Sequence, residues 1–137
     1  MEVGVSIKIN ARPERVWALL TNAGDFPRWN TTVKSIDGVI APGQTINLKT
    51  TAVPDRTFRL RITIAEPHSL MIWQDGRAPM FSGMRRYTLT PNGSATTFSM
   101  TETFAGLMLP MIAGSLPDFR PTFERYAADL KAEAERA

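Results

Sequence analysis

The sequence predicts an α+β architecture in which a curved antiparallel sheet, polar on its outer face, buries its inner face against a long C-terminal helix. Three observations carry that prediction. Phe58, Leu60, Ile62 and Ile64 alternate with Thr57, Arg59, Arg61 and Thr63, the two-residue period of a strand with one wet and one buried face. Pro91-Asn92-Gly93-Ser94 separates two alternating runs, and Asn-Gly is the strongest short signal for a hairpin. Leu116, Phe119, Phe123, Tyr126, Leu130 and Ala134 recur at spacings of three and four, which places them on one stripe of a helix. A one-sided sheet needs a cover, and this helix is the only amphipathic element long enough to supply it.

The chain opens with Val3, Val5, Ile7 and Ile9 alternating with Gly4, Ser6 and Lys8, a half-buried strand. Pro13 suits a first helical position and Glu14 the positive helix end, and Val16, Trp17, Leu19 and Leu20 form the apolar stripe that follows. Gly24, Asp25 and Pro27 break the next stretch, leaving room for a turn or two of second helix carrying Phe26 and Trp29. Beyond Asn30, turn residues divide the chain into strands at 33–38, 44–53, 56–65, 70–74, 81–90 and 95–104. The run 70–74 is apolar on both faces, so its register is not legible, and Asp75-Gly76 is expected to close it. Pro110, Pro117 and Pro121 cannot all lie inside one straight helix, since each lacks an N–H and crowds the carbonyl four residues back. The uninterrupted helix is therefore expected over 121–135. With no internal repeat and no low-complexity linker, a single domain over 1–137 is expected.

Composition narrows the function classes. Hydrophobic residues make up 43% of the 137 and charged residues 21%, which suits an ordinary folded domain. The absence of cysteine excludes disulfide frameworks, thiolate zinc sites, iron–sulfur clusters and cysteine nucleophiles, and fits a cytoplasmic location. Residues 1–10 do not read as a secretory signal. The longest apolar stretch, 105–116, is broken by Pro110 and is shorter than the ~20 residues a bilayer requires, so no integral membrane association is expected. The net charge of +3 comes from 16 basic and 13 acidic residues, spread singly apart from Arg85-Arg86, without the clustering that marks a nucleic-acid partner. Arg56, Arg59 and Arg61 read as a solvated strand face.

Several stretches carry a resemblance. The start IKINARPERVWALLTNAGDFPRWN, the strand ending GVIAPGQTINL, the hairpin MRRYTLTPNGSATTFSMTETFAG and the helix after it resemble the START-like helix-grip superfamily (SRPBCC), and within it the polyketide cyclase/dehydrase and lipid-transport group. The similarity spans essentially the whole chain and rests on the ordered set Val16-Trp17, Trp29-Asn30, Pro42-Gly43, Glu102 and Gly106. Thr31 departs from it, since such sequences often place proline there. The resemblance implies a helix-grip fold in β-α-α-β6-α order, with an internal cavity between sheet and helix that different members use for lipids, hormones or aromatic polyketides, and a minority for catalysis. Fold alone does not choose among these.

The chemical inventory is thin. His68, the one histidine, stands between Pro67 and Ser69 in a turn-like stretch, so no multi-histidine metal site can form. There is no G-x-S-x-G elbow, G-x-G-x-x-G or Walker sequence. No metal, cofactor or catalytic residue is assigned. Glu133 and Glu135 are expected to face solvent. These features suit a protein that binds a hydrophobic or aromatic small molecule. A cofactor-independent aromatase/cyclase- or dehydratase-like enzyme using cavity polar groups, and a partner-binding module, stand as alternatives, and the oligomeric state is open.

The expected ligand wall is Phe58, Leu60, Ile62, Tyr87, Leu89, Phe98 and Met100, covered by Leu109, Ile112, Leu116, Phe119 and Phe123. Met71, Met80, Met84, Met100, Met108 and Met111 suit an adaptable apolar pocket as well as an ordinary core. The resemblance implies that Trp29 lies near the cavity rim. An Asn92-Gly93 loop would pair Leu89 with Thr96, Tyr87 with Phe98 and Arg85 with Met100, leaving Glu102 diagonal to Arg85. Arg85, Tyr87, Leu89, Phe98, Met100 and Glu102 would then share the inner face. Arg85, Glu102 and the Tyr87 hydroxyl are thus the candidates for polar recognition, and for acid–base work in an enzyme, with a buried ion pair that merely fixes the register, or a pair that water solvates near the open end of the barrel, as the plainer alternatives. The glycine-bracketed apolar segment 106–114 reads either as a gate or as a buried helix start.

Overall fold

The computed structural model describes residues 2–77, 81–106, 110 and 118–136. Its elements are β1 (Glu2–Ile9), α1 (Pro13–Leu20), a 3-10 turn (Ala23–Asp25), α2 (Phe26–Trp29), β2 (Val33–Asp37), β3 (Thr45–Thr50), β4 (Thr57–Glu66), β5 (Leu70–Arg77), β6 (Phe81–Asn92), β7 (Ala95–Ala105) and α3 (Arg120–Ala134). The seven strands form one sheet in the order β1-β7-β6-β5-β4-β3-β2. Six of them run as an antiparallel meander, and β1 returns to pair with β7 from Glu2 opposite Thr103 to Ile9 opposite Thr96. The sheet curls into a half-barrel, with bulges between Val33 and Ser35 in β2 and between Ile62 and Ile64 in β4, where an extra residue bends a strand and raises its twist. This is the helix-grip arrangement that the resemblance implied.

One continuous core lies on the concave side. It joins Ile46 and Leu48 of β3, Leu60 and Ile62 of β4, Met71 and Trp73 of β5, and Tyr87, Leu89, Phe98 and Met100 of the β6–β7 hairpin to Phe123, Tyr126, Ala127 and Leu130 of α3. Of the expected α3 stripe, Phe123, Tyr126, Leu130 and Ala134 are buried and Phe119 is partly buried; Leu116 lies outside the described residues. At one end of the sheet α1 packs Val16, Leu19 and Leu20 inward, while Trp17 meets His68 edge-on at 6.3 Å.

Thr31 shows why proline is dispensable at its position. Its backbone N–H and its hydroxyl both donate to Asp129 Oδ2, at 2.8 and 2.7 Å, and Arg125 Nε donates to its hydroxyl at 3.0 Å. A proline would lack that N–H. The loop after α2 is therefore tied to α3 by hydrogen bonds instead of by a rigid ring.

Four expectations are corrected. Ile64 does not share the face of Phe58, Leu60 and Ile62: the bulge at Thr63 turns it outward, opposite Ile72, and leaves it 38% exposed. β5 does not close at Asp75-Gly76 but continues to Arg77, with Gly76 at φ +84° opposite Ser82, a conformation that glycine adopts inside a pairing strand without penalty. Glu133 does not face solvent: it is 8% exposed and bonded to Arg28 Nη1 at 2.7 Å and Arg136 Nη1 at 3.0 Å. Last, the hairpin loop is Gly93-Ser94, not Asn92-Gly93, because Asn92 still pairs with Ala95. Gly93 takes φ +65° while neither Asn92 nor Ser94 has positive φ, the signature of a turn with glycine first. Every β6–β7 pair therefore moves by two residues on one strand, which preserves the facing of each side chain: Tyr87 lies opposite Met100 and Arg85 opposite Glu102.

Gly38, which ends β2, has φ +115°, and a Cβ there would sit 2.9 Å from the Thr45 carbonyl oxygen. Gly38→Ala is expected to cost about 2 kcal/mol through backbone strain and that clash, read as a lowered urea midpoint at unchanged slope. An unchanged midpoint would mean that the β2–β3 connection relaxes freely.

Candidate functional site

The β6–β7 pairing builds the polar centre of the concave face. Arg85 Nε and Nη2 both reach Glu102 Oε2, at 3.0 and 2.9 Å, and each side chain is 18% exposed. The guanidinium lies over the Phe123 ring at 5.1 Å and the Tyr126 ring at 6.0 Å, so α3 caps it with two aromatic faces. Arg85 Nη1 donates to the Tyr87 oxygen at 3.4 Å, and the Tyr87 and Tyr126 hydroxyls are 3.1 Å apart. Burial pulls the Arg85 pKa down, but the Glu102 carboxylate together with the Tyr87 and Tyr126 oxygens outweighs it, and the net shift is upward. The guanidinium is therefore a fixed charge. Removing one partner would strand the other's charge among aromatics, typically costing about 3–5 kcal/mol for a buried pair.

Around this centre the rings are contiguous. Trp29 of α2 meets Tyr126 edge-on at 6.3 Å, Tyr126 and Tyr87 are 6.1 Å apart, and Trp73 of β5 lies 5.1 Å from Tyr87. Among the described residues, Trp29 Nε1, Trp73 Nε1 and Asn30 Nδ2 are buried without a hydrogen-bond partner. Asn30 uses its side-chain oxygen to accept from the N–H and hydroxyl of Thr32, at 3.0 and 2.7 Å, which leaves its amide donors idle. Buried polar groups are nearly always paired, so such a concentration of spare donors marks the region.

The residues expected to line a ligand site distribute as follows. Leu60, Ile62, Tyr87, Phe98 and Met100 are buried in the concave core, Trp29 is buried beside Phe26 and Tyr126, and Phe58 is partly buried. Arg85 and Glu102 meet directly across the hairpin. Met108, Leu109 and Ile112 lie outside the described residues, as does most of the 106–114 segment read as a gate. Sequence reasoning passed over Tyr126, Trp73 and Asn30. Tyr126 had a signal, a hydroxyl on the apolar stripe of α3; Trp73 had none, because its strand is apolar on both faces. Among the described residues, no group of three acidic or histidine side chains is placed to hold a metal. An open groove of about 860 Å³ is lined by Thr45, Arg59, Leu60, Arg61 and Gln74.

The hydroxyls make a direct test of burial. Burial raises the pKa of Tyr87 against the opposing pull of the Arg85 charge, and raises that of Tyr126 well above the ordinary value. Unfolding exposes phenols with a pKa of about 10. The stabilisation from keeping them neutral is fully present below that value, and it is lost as the pH rises past it, because the unfolded chain then releases protons that the folded chain keeps. The sequence has two tyrosines, both buried. Tyrosinate absorbance is therefore expected to stay absent from the folded protein on passing pH ~10 and to appear in one step with unfolding. A reversible half-ionisation of folded protein at that pH would show that water reaches a phenol.

Comparison with known proteins places this geometry. Protein MLL2253 of Mesorhizobium loti has a similar structure, with TM-score 0.75 at 18% identity over 96% of this chain and 95% of that one. A START superfamily protein from Mycobacterium smegmatis gives TM-score 0.72 at 16% identity over 98% and 97%. Truncated norcoclaurine synthase from Thalictrum flavum gives 0.72 at 11% identity over 100% and 95%. At these identities the likeness shows a common fold. No curated protein sequence matches the chain. The family model described as polyketide cyclase/dehydrase and lipid transport matches residues 1–135, and the chain belongs to that family.

Proposed function

We propose that this protein binds an apolar or aromatic small molecule on the concave face of the sheet, between the β4–β7 wall and α3. The observation that carries the reading is the Arg85–Glu102 pair with the Tyr87 and Tyr126 hydroxyls, set in a wall of Trp73, Phe98, Met100 and Phe123. Concave apolar sites with a few placed polar groups are what small-molecule pockets look like. Family membership supports the same reading, since such proteins typically bind hydrophobic ligands. Within the cluster, Arg85 is held charged and both phenols are made weaker acids. General acid–base work at neutral pH asks for groups tuned toward neutrality, so the cluster favours holding a ligand over turning one over.

Leu60, on the inner wall with its side chain buried, supplies the test. Leu60→Trp is expected to occupy ligand space: binding of a fluorescent apolar probe should fall at least tenfold, while stability changes by less than about 1 kcal/mol. Overpacking a dense core typically costs about 1–3 kcal/mol. A loss of stability in that range with probe affinity retained would mean that no ligand space adjoins Leu60.

A further inference from the structure

The concave face has more hydrogen-bond donors than acceptors, and the surplus can be counted. Two hydroxyl hydrogens, on Tyr87 and Tyr126, share one mutual contact at 3.1 Å. Whichever hydroxyl donates there, the other hydrogen has no acceptor among the described residues. Arg85 cannot provide one, because guanidinium is purely a donor, and its Nη1 already points at the Tyr87 oxygen. Trp29 Nε1 and Trp73 Nε1 are likewise without acceptors, and they flank the tyrosine pair through the ring contacts at 6.3 and 5.1 Å. Asn30 Nδ2, next to Trp29 in the chain, adds a further idle donor.

Among the described residues, the charged acceptor left over in the cluster is Glu102 Oε1, and beside it the Tyr126 oxygen keeps a lone pair. The Glu102 side chain is 18% exposed, so water can serve it. The formal charges of Arg85 and Glu102 cancel, and among the described residues no other charged side chain bonds to the cluster. A buried anion would therefore meet only neutral donors and an arginine already spoken for, and stranding a charge in such a setting is costly. An unpaired buried donor also costs free energy, which a neutral acceptor oxygen relieves.

We infer that the site selects an apolar ligand that carries neutral acceptor oxygens, such as ketone or ester carbonyls, and that Trp29, Trp73 and the spare tyrosine hydroxyl determine this specificity. The inference rests on the proposed binding function and adds the polarity of the ligand to it.

Three matched probes separate the two ideas: 2-ethylnaphthalene, 2-acetylnaphthalene and 2-naphthoate, titrated into the full chain at neutral pH. The acetyl probe is expected to bind about tenfold more tightly than the ethyl probe, the gain from one or two well-placed hydrogen bonds, and more tightly than the carboxylate. In a nitrogen–proton correlation spectrum, the indole N–H of Trp29 or Trp73 should move downfield with the acetyl probe and not with the ethyl probe, while that of Trp17 stays in place. Trp29→Phe and Trp73→Phe should each lower acetyl affinity and spare ethyl affinity. The indole shifts in the unmutated protein keep the test decisive if a variant fails to fold. Equal affinity for acetyl and ethyl probes, or unmoved indole resonances, would overturn the donor assignment and leave the binding function standing. Tightest binding of 2-naphthoate would overturn the neutrality. Failure of all three to bind would overturn the binding function and the inference with it.

Discussion

The pairing register of β6 and β7 is the constraint on which the rest of the concave face depends. In a sheet, a slip of one residue moves every side chain of a strand to the other face, so the turn decides the environment of Arg85, Tyr87, Leu89, Phe98, Met100 and Glu102 together. Gly93 at φ +65° sets that turn. The result puts Arg85 opposite Glu102 and Tyr87 opposite Met100, and β1 extends the same rows by placing Val3 opposite Glu102 and Val5 opposite Met100.

Once the register is fixed, the energetics of the face follow. A charged pair in a wall of aromatics is weak evidence for stability, since apolar replacements of similar volume often do as well. Its effect here is to fix geometry. The pair holds the guanidinium against Phe123 and Tyr126 of α3, and the guanidinium in turn orients the Tyr87 oxygen toward the Tyr126 hydroxyl. Sheet and helix are thereby joined through directional contacts as well as apolar burial. A second tie lies at the other end of the α3 packing, where Glu133 bonds Arg28 of α2 and Arg136, and Thr31 bonds Asp129. At this second place the helices are held by charge-assisted hydrogen bonds, which are shorter and stronger than neutral ones, whereas at the first α3 is held by cation–π contacts and a phenol–phenol hydrogen bond.

Much of the fold was legible in the sequence because its signals are local. Alternation located the strands to within a few residues, Pro13 began α1, and the stripe Phe123-Tyr126-Leu130 found α3. What escaped involved extra residues and long-range partners. The bulge at Thr63 leaves no mark in an alternating run, so Ile64 was placed on the wrong face. The expected loop was displaced by one residue, yet the inner-face set survived, because the resulting register change was an even number. Glu133 looks like any charged residue near a helix end until Arg28, distant in sequence, is brought beside it. The polar centre was partly legible: Arg85, Tyr87 and Glu102 follow from the hairpin, whereas Tyr126 and Trp73 join it through tertiary contacts that no pattern announces.

A concave face carrying spare donors and a compensated ion pair is an arrangement for receiving a molecule, and the most direct measurement of that claim is native mass spectrometry of the protein purified from its own cells. The account predicts a species heavier than the bare chain by a small-molecule mass, which unfolding releases into organic solvent as an apolar compound. A bare chain alone, from material that retains an added apolar carbonyl probe under the same spray conditions, would contradict it.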